Sequence, residues 1–348
     1  MNSLFAEFAK FMWGPWMLIL LLGTGLWLSI CLRGIQIRRL AYAFQLTFSK
    51  ERDGDGDISH FGSLMTSLAA TVGTGNIAGV STAVALGGPG AIFWMWVTGL
   101  VGMATKYAEG FLAIKYRDVN KHGEISGGPM YYLEFGLKQK WLGILFAIFG
   151  ALAAFGIGNM IQSNTIASSL SKTLGTNDFL VGVILAFLTA MVVLGGIKRI
   201  ARITSYFVPL MVLIYFIGAT FVILNNLSHL SSGIALILEH AFTGTAATGG
   251  FAGATLAQTI RFGVARGLFS NESGMGSAPI VAAAARTNHP EKQALVSMTG
   301  TFLDTLIICS LTALALSSSG VWVSGETGVA LTIQAFSTNL PRQWGNII

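Results

Sequence analysis

Charged residues are scarce in this chain, and that scarcity excludes most classes of soluble protein. Only 10% of the residues are Asp, Glu, Lys or Arg, whereas hydrophobic residues make up 53%. A soluble globular domain typically carries about 25% charged residues. We therefore expect an integral membrane protein.

Cysteine clusters and catalytic motifs are also missing from the sequence. The two cysteines, Cys31 and Cys309, lie in separate apolar segments, so we expect neither a disulfide nor a metal centre. The chain has no GxSxG elbow, no HExxH pair and no GxxxxGK[ST] phosphate loop. We expect a protein that is not an enzyme and that uses no cofactor.

Eight apolar runs are long enough to cross a bilayer, because a spanning helix needs about 20 mostly apolar residues. The first lacks the features of a signal peptide, so it is expected to remain as a membrane helix. The segment 228–242 is amphipathic and too short to span, which favours the external face. The eight runs cover approximately 14–33, 62–87, 90–114, 141–170, 178–196, 203–225, 251–285 and 293–316.

Lysine and arginine are concentrated in alternate loops. These loops are 33–60, 106–140, 196–202 and 286–292. The positive-inside rule places them in the cytoplasm and the N-terminus outside. The net charge of +6 is thereby explained by membrane topology, and we expect no binding of nucleic acid.

Two glycine-rich apolar stretches, Ala69–Gly90 and Arg266–Arg286, are interrupted where a membrane helix should be most regular. Glycine inside a helix costs about 0.8–1.0 kcal/mol relative to alanine. Non-helical backbone at membrane depth persists only where it faces protein or a watery cavity. Paired broken helices in corresponding halves therefore point to the binding site of a transporter.

The two stretches also indicate an internal repeat. Thr74-Gly75 aligns with Ser273-Gly274, and the two helices run in opposite directions through the membrane. This predicts an inverted repeat of about five helices in one transporter domain, residues 1–348, with an additional helix at 14–33. The first repeat covers 60–225 and the second begins at 251, so residues 251–348 hold only part of it and we expect a truncated transporter.

The first break combines flexible backbone with short polar side chains. Unwinding over Thr71–Asn76 would free carbonyls for a monovalent cation and aim N–H groups of the following half-helix at a carboxylate. Thr74 and Asn76 could bond to polar groups of the substrate. The alternative is that the glycines only allow close packing of helices.

The second break contains Glu272, an ionisable residue at predicted membrane depth and therefore a functional hypothesis. Glu272 could bind a cation, recognise an ammonium group or carry a proton. It could instead cap a half-helix or pair with Arg266. Backbone contacts from Ser270 through Gly274 are favoured over direct ligation by Glu272.

Other polar residues lie in the apolar runs. One of Asn159, Gln162 and Asn164 is expected to face a central cavity, or these amides bond between helices. Lys106 and Glu109 are three residues apart, which favours a mutual ion pair on one helix face. Asp304 is a further intramembrane charge, whose partner the sequence does not name.

Four segments resemble hallmark segments of the alanine/glycine:cation symporter family, in the same order and across essentially the whole chain. They are GTGNIAGV (Gly73–Val80), GGPGAIFWMW (Gly87–Trp96), GGPMYYLE (Gly127–Glu134) and RGLFSNESGMGSAP (Arg266–Pro279). The resemblance implies an all-α membrane protein of the leucine-transporter type, with one extra N-terminal helix. It also implies sodium-coupled uptake of L- or D-alanine or glycine across the bacterial inner membrane.

The resemblance also implies roles for particular residues. Backbone carbonyls near Ala70 and Gly73, with Thr71 in the same segment, would supply part of the sodium site. Ser273 departs from the family, which more often has alanine there, and the remaining sodium ligands would come from a helix after Ile348. The implied substrate contacts are Thr74, Gly75, Asn76, Gln162, Ser270, Asn271, Ser273 and Gly274.

Three alternatives stay open at this point. The first is a proton-coupled or differently specific transporter of the same fold. The second is a channel-like or regulatory membrane protein that uses broken helices without coupling. The third is an inactive truncated fragment.

Overall fold

The structure is a computed structural model that describes residues 7–8, 11–49, 54–119 and 123–340. The cations Lys10, Lys50, Arg52, Lys121 and Arg342, which belong to the predicted charge pattern, lie outside the described residues. One short hairpin pairs β1 (Asp118–Val119) with β2 (Ile125–Ser126) in antiparallel register. The helices are α1 (Pro15–Cys31), α2 (Ile35–Arg38), α3 (Leu40–Phe48), α4 (His60–Thr71), α5 (Gly75–Gly87), α6 (Ala91–Lys115), α7 (Pro129–Tyr131), α8 (Lys140–Ser171), α9 (Asp178–Val193), α10 (Gly196–Asn225), α11 (Leu227–Thr243), α12 (Leu256–Asn271), α13 (Ala278–Ala283), α14 (Pro290–Ser319) and α15 (Gly328–Asn339).

The predicted apolar segments are mostly helical in the described chain, as expected for an all-α, multi-pass membrane protein, although 251–285 is helical only over Leu256–Asn271 and Ala278–Ala283. By length and composition α8, α10 and α14 can each cross a membrane, and α4 with α5 makes a fourth span if the bent pair is taken as one. Helices α1 and α9 are apolar but shorter, with 17 and 16 residues. The segment expected on the external face forms α11, which packs against α14 and α6. The inverted repeat and the orientation in the membrane stay predictions.

The first predicted break lies between α4 and α5, whose axes differ by 49°. Helix α4 begins at an N-cap in which the Ser59 hydroxyl accepts from the Gly62 amide, and it ends where Val72 turns to extended backbone. Helix α5 resumes with a wide π-type turn over Gly75–Gly79. Such turns are rare in proteins overall, and those that occur are often found at functional sites.

The second predicted break follows α12, which ends at Asn271. Glu272 has a φ of 52°, a left-handed conformation that non-glycine residues rarely adopt. Gly274 and Gly276 also have positive φ values, of 85° and 81°. The chain cannot continue as helix through this sequence of left-handed residues, and α13 resumes only at Ala278.

Helix α6 lies at the centre of the molecule and packs most extensively against α14 and α12. Glycines on α6 permit this close approach: a Cβ atom added to Gly110 would lie 2.6 Å from Ser297 Oγ and 3.1 Å from Ala294 Cα. Small residues at helix interfaces have the same role in other membrane proteins, because packing rather than water exclusion holds the helices together.

Two connecting segments join beside the C-terminal end of α6. The amide of Ile58 donates to the Ala284 carbonyl at 3.1 Å, and the Arg286 amide donates to the Ile58 carbonyl at 2.8 Å. The segment that precedes the first broken helix is thus bonded to the segment that follows the second. The Lys198 ammonium, from the start of α10, lies 3.1 Å from Asp57 Oδ1 on the same segment.

The guanidinium of Arg117 closes this junction. It donates to the carbonyls of Ala283, Ala285, Thr287 and Asp55 at 2.8–3.0 Å. Burial lowers the pKa of Arg117 from its ordinary value, and the charges of Asp55 and Asp57 act against that decrease. One arginine can bond to four carbonyls here because its planar guanidinium group carries five N–H donors.

Candidate functional site

A buried polar cluster joins both helix breaks to α14. The Asn76 amide nitrogen donates to Asp304 Oδ1 at 2.8 Å, and the Ser270 hydroxyl donates to Asp304 Oδ2 at 2.9 Å. Thr305 donates to the same Oδ2 at 2.9 Å. Asn76 comes from the first break, Ser270 from the last turn of α12, and Asp304 from a π-type stretch of α14. The cluster therefore connects three separate parts of the chain.

Asp304 is the acceptor at the centre of the cluster. Its side chain and those of Asn76 and Ser270 are each 1% exposed. Among the described residues, the hydrogen bonds to its carboxylate come from neutral donors, and no ion pair with it is formed. A buried carboxylate that is held only by neutral donors is suited to bind a small cation. Sequence reasoning singled out Asp304 as an intramembrane charge and missed its partners.

The cluster lies next to a cavity of about 920 Å³. Gly73, Thr74 and Gln162 line the cavity, and they are three of the predicted site residues. Gln162 lies directly over the first break, since a Cβ atom added to Gly73 would be 3.3 Å from Gln162 Oε1. Much of the remaining wall is apolar and includes Phe207 and Met211 of α10. The structure thus brings a few polar groups together on an apolar wall, as in most small-molecule sites.

A smaller cavity of about 300 Å³ adjoins the same break. Gly73 and Asn76 line it together with Tyr215 and Ile308. Gly73 therefore borders both cavities, whereas Asn76 of the polar cluster lines the smaller one.

Asn271 and Ser273, which were also predicted in the second break, direct their side chains toward α14. The Asn271 amide donates to Thr305 Oγ1 at 3.2 Å, and its Oδ1 accepts from the Ser273 amide at 3.0 Å. The Ser273 hydroxyl lies 3.3 Å from Thr301 Oγ1. These side chains therefore hold the second break against α14, and neither lines the two cavities described here. Gly274, in the middle of the break, is exposed.

Gly75 and the predicted cation residues lie around the first break. Gly75 packs against Ser270, where an added Cβ atom would lie 3.2 Å from Ser270 Cα. The Thr71 side chain is buried and its hydroxyl donates to the Ser67 carbonyl at 3.4 Å. Ala70 is exposed, and its neighbour Ala69 lines the larger cavity. A role for the Ala70, Thr71 and Gly73 carbonyls in cation binding stays a prediction.

Lys106 and Glu109 fix the second break from the side of α6. Their predicted ion pair is present, with Lys106 Nζ 3.9 Å from Glu109 Oε2. Both residues also contact the break itself: Lys106 donates to the Glu272 carbonyl at 3.2 Å, and Glu109 Oε1 accepts from the Gly276 amide at 3.1 Å. The Glu272 carboxylate accepts from the Ser277 hydroxyl and forms no ion pair with Arg266 among the described contacts. The buried pair therefore satisfies backbone groups that the broken helix leaves without partners.

The chain is similar in sequence to known transporters. The sequence model of the Sodium:alanine symporter family matches residues 1–348. The sodium/alanine symporter AgcS of Methanococcus maripaludis is 52% identical over 342 residues, which cover 95% of this chain and 75% of AgcS. A transporter of Haemophilus influenzae is 49% identical over 349 residues, or 100% of this chain and 76% of that protein. GlnT of Bacillus subtilis, named as a probable sodium/glutamine symporter, is 40% identical over 331 residues, with 94% and 68% covered.

Proposed function

Because the chain belongs to the Sodium:alanine symporter family, whose members couple sodium to amino-acid transport, we propose that it takes up alanine or glycine with sodium by alternating access. The observation that carries the proposal is the buried cluster of Asn76, Ser270 and Asp304. It brings both helix breaks and α14 to one point beside the large cavity. The two breaks are then the two arms of one site.

The cluster supplies the chemistry for a coupling cation. The carboxylate of Asp304 provides a full negative charge, and Ser270 provides a neutral oxygen 2.9 Å from Asp304 Oδ2. Asn76 presents its Nδ2 to both residues, so its own oxygen faces Gly73 instead. Oxygen ligands at an unwound membrane helix suit a monovalent cation such as sodium. The carbonyls of Ala70, Thr71 and Gly73 are proposed as further ligands on the same break.

The first break also supplies the chemistry for an amino acid. The N-terminal end of α5 directs N–H groups and the positive end of its helix dipole at the break, which favours the substrate carboxylate. Thr74 and Gln162 line the cavity beside it and would bond to polar groups of the substrate. Four further residues are proposed to shape the pocket by packing the two breaks together: Gly75, Asn271, Ser273 and Gly274. A small neutral side chain then faces the apolar wall, including Phe207.

We further propose that the protein acts in the inner membrane with its N-terminus external and its basic loops cytoplasmic. The junction made by Arg117 would then lie on the cytoplasmic side, because it occupies the basic loop after α6. Transport needs no covalent step, so the protein is proposed to be no enzyme.

Uptake of labelled alanine into proteoliposomes tests the proposal. An inward sodium gradient should drive accumulation, and an equal potassium gradient should not. Glycine should compete with alanine, and a larger neutral amino acid such as glutamine should compete less. Accumulation that follows a proton gradient without sodium would favour the proton-coupled alternative. A conductance without saturable accumulation would favour a channel.

A further inference from the structure

The side-chain amide of Asn76 connects the proposed cation site to the backbone of the first break. Its Oδ1 accepts from the Gly73 amide at 2.8 Å, and its Nδ2 donates to Asp304 Oδ1 at 2.8 Å. Because both bonds belong to one planar amide, a rotation that alters the bond to Asp304 also alters the bond to Gly73. The inference drawn from this rests on the proposed function.

The chemistry of the partners sets the orientation of this amide. A backbone N–H can only donate, so the atom that faces Gly73 must be the amide oxygen. The Asp304 carboxylate accepts, so the atom that faces it must be the NH₂ group. That NH₂ group also lies 3.1 Å from the Asp304 carbonyl oxygen and 3.3 Å from Ser270 Oγ. In this state the amide hydrogens of Asn76 lie beside the Asp304 carboxylate, where a bound cation would lie.

A cation bound by Asp304 and Ser270 requires the opposite orientation of Asn76. An NH₂ group has no lone pair available for a metal ion, so Asn76 can act as a ligand only through Oδ1. A half-turn of the amide brings Oδ1 to the cation and Nδ2 to Gly73. Donor then faces donor, and the bond to the Gly73 amide is lost.

The same half-turn prepares a site for a carboxylate. It leaves two N–H donors, on Gly73 and on Asn76, at the border of the smaller cavity that both residues line. Donors without an acceptor at a partly buried position are unfavourable, and an anionic carboxylate would satisfy both with charge-assisted bonds.

We propose that Asn76 is the coupling residue of the transporter: cation binding at Asp304 and Ser270 reverses its amide, and the reversal releases the Gly73 N–H for the substrate carboxylate. By linkage, the substrate strengthens cation binding by the same factor that the cation strengthens substrate binding. Coupling between sites typically amounts to about 5–150-fold in affinity, and we expect the sodium effect on alanine affinity to lie in that range.

Hydrogen exchange at the Gly73 amide tests the coupling directly. The full chain in nanodiscs is exchanged in choline, in sodium, and in sodium with alanine, and exchange is resolved at single residues by mass spectrometry. We expect the Gly73 amide to be protected in choline, to exchange at least about 5-fold faster in sodium alone, and to regain protection with alanine. The Gly62 amide, which donates to the Ser59 hydroxyl at 3.0 Å in the N-cap of α4, is the internal control and should not respond.

The outcomes separate this inference from the proposed function. Sodium-dependent alanine binding with unchanged Gly73 exchange would overturn the role of Asn76 and leave symport intact. No sodium-dependent alanine binding at all would overturn the proposed function. In Asn76→Asp both ends of the side chain carry oxygen, so no reversal is needed and the sodium enhancement of alanine affinity should be lost. Full enhancement in this variant would also refute the inference.

Discussion

Replacing Asp304 with asparagine removes the negative charge of the cluster and keeps its shape. The variant has nearly the same volume, and its Oδ1 can still accept from Asn76. The hydroxyls of Ser270 and Thr305 can turn and accept from the new NH₂ group. Hydrogen bonds to charged groups contribute about 1 kcal/mol more than neutral ones, so the cost to stability should be modest and the protein should fold.

The cost to cation binding should be much larger. Removing one partner of a buried ion pair typically costs about 3–5 kcal/mol, because the other charge is left without compensation. Since each 1.4 kcal/mol is a factor of ten, sodium affinity should fall by about two to three and a half orders of magnitude. The full value is expected because the Asp304 side chain is 1% exposed and solvent cannot replace it.

The assay is the sodium concentration that gives half-maximal alanine uptake in proteoliposomes. Asp178→Asn is the matched control, because Asp178 lies in the exposed first turn of α9 and undergoes the same chemical change. A half-maximal sodium concentration within about twofold of the unmodified protein, in Asp304→Asn that folds normally, would refute the assignment of the cation site to this cluster.

Two further predictions concern the packing of α6. Glu109→Gln leaves the buried ammonium of Lys106 without its negatively charged partner, so the free energy of unfolding in detergent should fall by about 3 kcal/mol. Adding Lys106→Met should recover part of this loss. Equal stability of the single and double variants would contradict this. Gly110→Ala places a Cβ atom 2.6 Å from Ser297 Oγ and should cost about 1–3 kcal/mol on the same measurement, whereas Gly150→Ala, whose Cβ atom has its nearest neighbour at 3.8 Å, should be neutral.

The positions of the helix breaks could be predicted from the sequence because the cause is local. Glycine concentrates at both breaks, and the left-handed backbone at Gly274 and Gly276 depends on those residues themselves. The Lys106–Glu109 pair was also accessible, since a spacing of three residues places both on one face of a helix. The family followed from four short motifs.

The partners of Asp304 could not be predicted, because they depend on packing between distant segments. Asn76 and Ser270 are separated from each other by 194 residues in the chain, and Asn76 and Asp304 by 228. For the same reason the sequence did not indicate that Asn271 and Ser273 would bond to α14. Lys106 and Glu109 were predicted to bond to each other, whereas their bonds to the backbone of the second break required the fold.

The junction at Arg117 has a consequence for how this region tolerates change. Arg117 bonds to carbonyl oxygens of Ala283, Ala285 and Thr287, and those atoms are the same whatever side chains the positions carry. The side chains of Ala283, Ala285 and Thr287 are constrained separately, because each of these residues is 0% exposed. Arg117 adds a constraint on the number of residues, since a single insertion would move every later carbonyl out of reach. Homologues should therefore keep the length of this segment constant.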